Sequence, residues 1–309
     1  MVIDAQRPPE RGLDMVIDAH RHMWSARERY PAAFSDLPGQ EPPPPADLDW
    51  ESATRETVEE MDGAGVDRSV LVVADFAARL GDPLLSIEEE NRLIVEAHRL
   101  HPDRIVPYYG IDPRRPGAAD SFERAIKEWS VAGIKLHPTV GFFPHDRACY
   151  PIYELCAAYD LPVLFHSGPA FHPRLYSRFS HPLEYDQVAA DFPNLTMVVG
   201  HASRDWWEDC IAVCRAHPNM VVEMSGWQTL LRDRPQETLH VIDRLRDNLG
   251  IERVMWGTDF PAVRHLMSLK ECVAIYRTLP AMGKEHGYRF SDADVEAMLH
   301  GNAERLLKV

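Results

Sequence analysis

Short, continuous apolar runs recur along this chain, and each is followed by a segment with helical character. Runs such as Arg68–Asp75 (RSVLVVAD) and Leu161–His166 (LPVLFH) lack polar–apolar alternation, which is typical of strands buried on both faces of a parallel sheet. The predicted strands are Met15–Ile17, Arg68–Asp75, Arg104–Asp112, Val131–His137, Leu161–His166, Leu195–His201, Met220–Ser225 and Arg253–Gly257. Eight strand–helix units in 309 residues predict an α/β fold, a (β/α)8 TIM barrel with an extra C-terminal helix.

Helical periodicity, capping residues and glycine stops predict where the intervening helices lie. The predicted helices are Glu51–Ala64, a helix from the Ser86 cap to Leu100, Pro116–Ser130, Tyr150–Tyr159, Pro182–Asp191, Trp206–Ala216, Gln236–Leu249, Ser268–Leu279 and Ser291–Leu307. An open, doubly wound sheet is the alternative architecture. It would require a Gly-rich turn after the first strand, whereas His20-Arg21-His22 stands there.

The N-terminal residues 1–14 are interpreted as an extension or an alternative start outside the fold, and residues 15–309 as a single barrel. The pentapeptide MVIDA occurs at Met1–Ala5 and again at Met15–Ala19, and only the second copy is followed by histidines. The segment Ser25–Asp49 is polar and contains four consecutive prolines, which excludes regular structure. A loop of this length is expected to be a lid or binding loop, or else a flexible surface excursion.

The overall charge and composition limit the partners that the chain can have. A formal net charge of -15 argues against nucleic acid and anionic membranes as partners. No apolar run approaches the length of a transmembrane helix. The five cysteines form no C-x-x-C pair, so a cytoplasmic location with reduced thiols is expected, and the expected partner is a small-molecule substrate.

Histidine, lysine and aspartate side chains stand at the ends of five predicted strands. Because the carboxyl ends of barrel strands meet at one rim, these side chains are expected to converge. The residues concerned are His20, His22, Lys135, His137, His166, His201 and Asp259. A single histidine at a strand end is more often a hydrogen-bonded structural residue, and Asp259 alone would suit a helix cap. The whole set on one rim instead predicts a metal site.

The chemistry of this set suggests a role for each residue. Four ligands such as His20, His22, His166 and Asp259 provide three nitrogens and one oxygen and leave room for water, which is typical of a catalytic site. A metal held there lowers the pKa of that water toward neutrality. His201 is expected to orient or deprotonate the water, or to be a further ligand. Asp259 is expected to shuttle the proton as well as bind the metal.

Six motifs together resemble the amidohydrolase superfamily, and more narrowly its amidohydrolase-2 branch. They are VIDAHRH, GIKLHP, LPVLFHSG, VVGHAS, WGTDFP and HGNAERLL, and they occur in family order over residues 15–309. The branch includes aminocarboxymuconate-semialdehyde decarboxylase-like enzymes and several lactonases. The resemblance implies a barrel with a divalent metal, Zn as first choice and Mn as second. It also implies a possible homodimer, metal ligands at His20, His22, His166 and Asp259, and His201 as the catalytic histidine.

Lys135 leaves the number of metals open. In binuclear members of the superfamily a carboxylated lysine at this position bridges two metals. In mononuclear members it contacts a substrate carboxylate or carbonyl. The narrower branch mostly uses one metal, so one divalent metal is the preferred interpretation and a second metal with carboxylated Lys135 is the alternative.

Both hydrolases and decarboxylases occur in the branch. The H-x-H pair at His20 and His22, where some aromatic-acid decarboxylases carry E-x-H, favours a hydrolase acting on a small carboxylate-bearing lactone, ester or amide. Several of those decarboxylases carry Gly-Glu after the histidine of strand 6. This chain has Ala-Ser-Arg-Asp after His201 instead, which favours the same conclusion. The alternative is non-oxidative decarboxylation of a hydroxyaromatic or muconate-type acid. Substrate contacts are expected from the loops after strands 1, 4 and 5, where arginines would suit a carboxylate. The expected contacts are Arg21, Trp24, Lys135, His137 and Arg174, with Tyr176 and Arg178 as further candidates.

Overall fold

Eight parallel strands form one sheet in the order of the chain, and helices connect them. The computed structural model describes residues 15–23, 33 and 50–308. The strands are β1 (Ile17–Arg21), β2 (Arg68–Val72), β3 (Ile105–Gly110), β4 (Gly133–Leu136), β5 (Val163–Phe165), β6 (Met197–Val199), β7 (Met220–Glu223) and β8 (Val254–Met255). The predicted (β/α)8 TIM barrel is confirmed.

Helices cover the outside of the sheet. The helices at the end of the chain confirm the predicted extra C-terminal helical segment. The helices are α1 (Trp50–Ala64), α2 (Ala77–Leu80), α3 (Ile87–Leu100), α4 (Ala118–Trp129), α5 (Tyr150–Tyr159), α6 (Asp186–Asp191), α7 (Trp207–Ala216), α8 (Trp227–Asp233), α9 (Pro235–Leu249), α10 (Leu269–Arg277), α11 (Leu279–His286), α12 (Asp292–Glu296) and α13 (Asn302–Leu307). A π-helical turn, Ala297–Gly301, joins α12 to α13.

The barrel closes between its first and last strands. The Ala19 N–H donates to the Trp256 carbonyl at 3.2 Å, and the His22 N–H donates to the Phe260 carbonyl at 2.7 Å. Along each strand, alternate residues face the interior and the helices. In β4, for example, Ile134 and Leu136 pack into the outer apolar layer, so the residue between them, Lys135, faces the interior.

The first strand departs from regular pairing just where the functional residues begin. The β1–β2 register shifts between Asp18 and Arg21, which indicates a bulge. After it, His20 and His22 face the barrel interior, and Arg21 between them faces α1. The bulge therefore delivers both histidines to the same side as the other strand ends.

Most predicted elements are confirmed, although their boundaries shift by a few residues. The predicted Ser86 cap is a capping box, because the Ser86 side chain accepts from the Glu89 N–H and the Glu89 side chain accepts from the Ser86 N–H. The segment predicted as one helix over Pro182–Asp191 begins with a 3-10 turn, Pro182–Tyr185. The short helices α2, α8 and α11 were not predicted. Residues 1–14 and most of Ser25–Asp49 lie outside the described residues.

Candidate metal centre and active site

A cavity of about 270 Å³ opens at the carboxyl ends of the strands. It is lined by the seven rim residues singled out from the sequence, His20, His22, Lys135, His137, His166, His201 and Asp259. Apolar side chains complete its walls, including Phe76, Phe171 and Leu266. This size suits a ligand smaller than a drug-sized molecule.

Three of the predicted ligands lie close enough to hold one ion. The Oδ1 atom of Asp259 is 3.3 Å from His22 Nε2 and 3.7 Å from His20 Nε2. Two ligands of a tetrahedral ion, each about 2.1 Å from it, are about 3.4 Å apart. The two separations from Asp259 are therefore close to those around a single tetrahedral cation.

Asp259 reaches this position through contacts of the β8 loop with β1. Its backbone has φ +61°, and its N–H donates to the His20 carbonyl at 2.8 Å. The preceding residue, Thr258, donates from N–H and Oγ to the buried Asp18 carboxylate at 2.9 and 2.5 Å. Burial raises the pKa of Asp18 to about 7, although the bond from Thr258 opposes the change. The two strands that close the barrel thus also fix the carboxylate.

Glu223, at the end of β7, orients His20 from below the cavity. Its Oε1 accepts from His20 Nδ1 and from the His201 N–H, both at 2.8 Å, and its Oε2 accepts from the Ser225 N–H at 2.6 Å. Desolvation alone would raise the pKa of Glu223, but His20 outweighs it and the pKa falls to about 2. With Nδ1–H committed to Glu223, His20 is assigned the tautomer whose Nε2 lone pair faces Asp259.

The hydrogen bonds of His201 and His166 assign both tautomers. His201 Nδ1 is 3.1 Å from the Ser225 carbonyl, which can only accept, so Nδ1 carries the proton. Neutral His201 then accepts at Nε2 from His166 Nδ1–H at 3.0 Å. The Nε2 atom of His166 is left unprotonated, buried and without a hydrogen-bond partner among the described residues. Burial lowers the pKa of both rings, to about 4 for His201, so both are neutral at pH 7.

The backbone that carries His201 is left-handed over four consecutive residues. The φ angles of His201, Ala202, Ser203 and Arg204 are +57°, +42°, +58° and +50°. Non-glycine residues lose about 1–2 kcal/mol each in this conformation. Hydrogen bonds hold the segment, from Trp227 Nε1 to the His201 carbonyl at 2.6 Å and between the hydroxyls of Ser203 and Ser167 at 2.7 Å. Strain that is maintained in this way is typical of functional sites.

Lys135 is a buried cation next to the candidate ligands. Its Nζ lies 3.3 Å from His20 Nε2, the lone pair assigned above, so it donates there. Burial lowers the pKa of Lys135 to about 8, while Glu223 and Asp259 act in the opposite direction. The ammonium is therefore still mostly protonated at pH 7. The two carboxylates thus favour positive charge in the cavity.

Not all of the predicted contacts come together in the cavity. His137 lines it, with its ring stacked on His166 at 4.0 Å between centroids. Arg21 faces away from it toward Glu60, because alternation that points His20 and His22 inward points Arg21 outward. Arg174 is exposed on the loop after β5 and does not line the cavity. Trp24 lies outside the described residues.

The donor set fits a divalent metal. The ligand atoms of His20, His22 and Asp259 all lie within 4.8 Å of one another. His166 is not in that group, but its bare, buried Nε2 is in the protonation state that a ligand needs. A second group, His20, His201 and Glu223, is equally compact. Because its atoms include the hydrogen-bonded pair His20 Nδ1 and Glu223 Oε1, we assign it to supporting the site.

Three residues of the site were not among the predicted site residues. Glu223 and Ser225 lie at the end of β7. Their role follows from hydrogen bonds to histidines on other strands, His20 for Glu223 and His201 for Ser225. Arg204 lines the cavity three residues after His201. No sequence signal marks the left-handed backbone that carries it.

Comparison with known proteins gives a family assignment. A family model described as amidohydrolase matches residues 17–309. A search of curated proteins finds no match. No described helix is both long and apolar enough to cross a membrane.

Three similar solved structures share the fold. One is a probable 2-pyrone-4,6-dicarboxylic acid hydrolase from Acinetobacter baumannii with citric acid bound (13% identity, TM-score 0.65, 95% of this chain and 99% of that chain). Another is a 5-carboxyvanillate decarboxylase from Novosphingobium aromaticivorans, a D314N mutant with manganese and 3-methoxy-4-hydroxy-5-nitrobenzoic acid bound (16%, 0.66, 97% and 98%). The third is an amidohydrolase from Burkholderia multivorans with zinc bound (18%, 0.64, 96% and 99%).

Proposed function

Since the chain belongs to the amidohydrolase family, we propose that it is a divalent-metal-dependent hydrolase of a small, carboxylate-bearing lactone, ester or amide. The observation that carries the proposal is the group formed by His20, His22 and Asp259, whose separations suit one tetrahedral cation. Catalytic zinc sites keep a position for water or substrate beside their protein ligands, and zinc can expand to five ligands. A cavity that opens over this group gives a substrate access to that position.

We propose that His20, His22, His166 and Asp259 hold one metal, with zinc as first choice and manganese as second. The similar structures with zinc or manganese support a divalent ion of this kind. When bound, the metal supplies a Lewis acid for a substrate oxygen and lowers the pKa of a water molecule. The alternative, two metals bridged by carboxylated Lys135, needs a second set of ligands. The other compact group, His20, His201 and Glu223, shares His20 with the first and includes the His20–Glu223 hydrogen bond, so one metal is preferred.

His201 and Asp259 are the proposed proton-transfer residues. His201 is neutral at pH 7, and its Nε2 lone pair, which accepts from His166 Nδ1–H, would take up a proton when that hydrogen bond is released. The Ser225 carbonyl accepts from Nδ1–H and would stabilise the imidazolium that results. The pKa of Asp259 is far below its usual range, because the nearby histidines outweigh desolvation, so its carboxylate is ionised and can accept a hydrogen bond from the water molecule whose proton it is proposed to shuttle.

Lys135 and His137 are the proposed substrate contacts among the predicted residues. The protonated Lys135 ammonium can donate to a carbonyl or carboxylate oxygen of a substrate bound above His20. His137 presents its ring beside His166, and its Nδ1 is hydrogen-bonded to Thr139 Oγ1 at 2.7 Å. His137 is proposed to form the wall of the cavity after β4, against which the substrate would pack.

Non-oxidative decarboxylation of a hydroxyaromatic or muconate-type acid is the second candidate. The observation that favours it is an aromatic wall, in which Phe76 packs edge-on against His137 at 4.6 Å and against Phe171 at 5.8 Å. Such a wall suits a planar ring. The similar decarboxylase structure gives this candidate further support.

A screen of the zinc- or manganese-loaded protein that measures two products separately tests the proposal. Lactone, ester and amide cleavage is followed by acid release, and decarboxylation by CO2 release. We expect hydrolysis that a chelator abolishes and that His201→Ala lowers at least about 100-fold while metal content is kept. His217→Ala, at the surface pair with Asp186, is the matched control and should keep full activity.

Two outcomes would reject the hydrolase. CO2 release without any hydrolysis would transfer the assignment to the decarboxylase. Full activity of His201→Ala, or of protein freed of metal, would remove the proposed chemistry altogether.

A further inference from the structure

Arg204 is a cation on the cavity wall that forms no ion pair with the residues that the structure describes. Arg204 lines the cavity, and of its five N–H groups one, on Nη1, donates at 3.0 Å to the carbonyl of Gly226, which also lines the cavity. Its Cζ lies 5.3 Å from the centroid of the Trp227 ring. Within the described part of the chain, no carboxylate forms an ion pair with it. The remaining N–H groups are thus available to a ligand.

The backbone conformation and the packing at Arg204 hold its side chain at the cavity. Its φ and ψ are +50° and -118°, a combination that L-residues rarely adopt. Gly168 packs against it so closely that an added Cβ would lie 3.3 Å from Arg204 Cβ. A surface arginine needs neither a strained backbone nor a fitted neighbour. Partial burial also lowers the pKa of Arg204, against the opposing charges of Asp205 and Asp259.

The charges around the cavity also favour an anionic ligand. The two carboxylates at or beneath the cavity, Asp259 and Glu223, equal in number the two cations, Lys135 and Arg204. A divalent metal would therefore leave the site with net positive charge. A planar guanidinium fork matches a carboxylate with two parallel hydrogen bonds.

We propose that Arg204 binds a substrate carboxylate that takes no part in the reaction, and so determines specificity for anionic substrates. The inference rests on the proposed function, because it assumes that the reacting group of the substrate lies at the metal group. The strand order places Arg204, after β6, opposite Phe76, after β2. The substrate class is a small carboxylate with an apolar or aromatic body that lies between them.

Probes that occupy the metal with a different group test this role. Benzohydroxamate binds metals through its hydroxamate, and its 3- and 4-carboxy derivatives offer a second, free carboxylate. The matching carboxamides have the same shape without the charge. Affinities for zinc-loaded protein are measured by calorimetry. We expect the wild type to prefer a carboxylate to its carboxamide at least tenfold.

Substitution then assigns the preference to one side chain. Arg204→Met should reduce the preference to less than twofold while leaving the affinity for benzohydroxamate itself unchanged. Arg204→Gln keeps a donor for the Gly226 carbonyl, so it should fold if Arg204→Met does not, and it should lose the preference equally. Arg92→Met makes the same change at an exposed arginine that lies over the Trp129 ring, as Arg204 lies over Trp227, but does not line the cavity, and it should keep the preference.

The possible failures are distinguishable. If benzohydroxamate does not bind, the proposed metal function fails. If it binds but the wild type has no preference for the carboxylate, or if Arg204→Met and Arg204→Gln keep that preference, the metal site stands and the role of Arg204 is refuted.

Discussion

Glu223→Gln tests whether the metal ligands depend on a buried carboxylate that does not touch the cavity. The Oε1 atom accepts from His20 Nδ1, from the His201 N–H and from Ser225 Oγ, whereas Oε2 accepts from one described donor, the Ser225 N–H. Glutamine would therefore keep its oxygen at the Oε1 position. Its NH2 group would then face the Ser225 N–H, and because both groups are donors no hydrogen bond could form between them.

The size of the effect follows from these contacts. One buried N–H is left unsatisfied, which costs about 1–3 kcal/mol of unfolding free energy. The bond to His20 loses its charge, and the loss of an outer partner of a ligating histidine typically weakens metal binding about 10–100-fold. That loss equals about 1.4–2.7 kcal/mol of binding free energy.

Two measurements check the prediction. Zinc affinity is obtained by competition with a chromophoric chelator, and stability by calorimetry of the metal-free protein. Asp75→Asn is the matched control, since Asp75 is also a buried carboxylate near a strand end and accepts from the Asp112 N–H at 2.8 Å and from Arg115. It should lose stability but keep zinc affinity. A Glu223→Gln protein that binds zinc within twofold of the wild type would refute the reasoning.

Two further predictions concern stability. Gly110→Ala should prevent folding, because its Cβ would lie 1.9 Å from the Val73 carbonyl oxygen, whereas Gly63→Ala in α1 meets nothing within 4 Å and should raise stability by up to about 1 kcal/mol. Soluble yield and chemical denaturation distinguish them, and equal stability of the two variants would contradict the packing argument. Zinc at 100 times its dissociation constant should stabilise the protein by about 2.7 kcal/mol. An unchanged Tm after chelation would contradict binding to the folded state.

The barrel and the position of its functional rim could be predicted because each depends on local sequence. Apolar runs identify buried strands, and the residue at the end of a run lies at the rim. Alternation predicted that His20 and His22 share one face, and the same rule, applied strictly, would have directed Arg21 to the opposite face. The bulge that turns the two histidines to the interior was not predicted.

The remaining features of the site depend on contacts between distant strands. Glu223 meets His20 across 203 positions of sequence, and no local pattern specifies that pairing. His166 lies beside His201, 35 residues away, and outside the group of His20, His22 and Asp259. Arg204 enters the cavity through a left-handed turn of non-glycine residues, which sequence preferences argue against. Such contacts appear only when the strands are assembled.

The closure of the barrel between β1 and β8 also governs when the site can form. His20 and Asp259 are separated by most of the chain, so their contact closes one of the longest loops in the protein, and the entropy of that closure must be offset before any ion is held. A growing chain on the ribosome has no such site until β8 has emerged. Uptake of the proposed metal would then be among the last events of folding, and a chain truncated before Asp259 would lack the proposed ligand that connects the end of the barrel to its beginning.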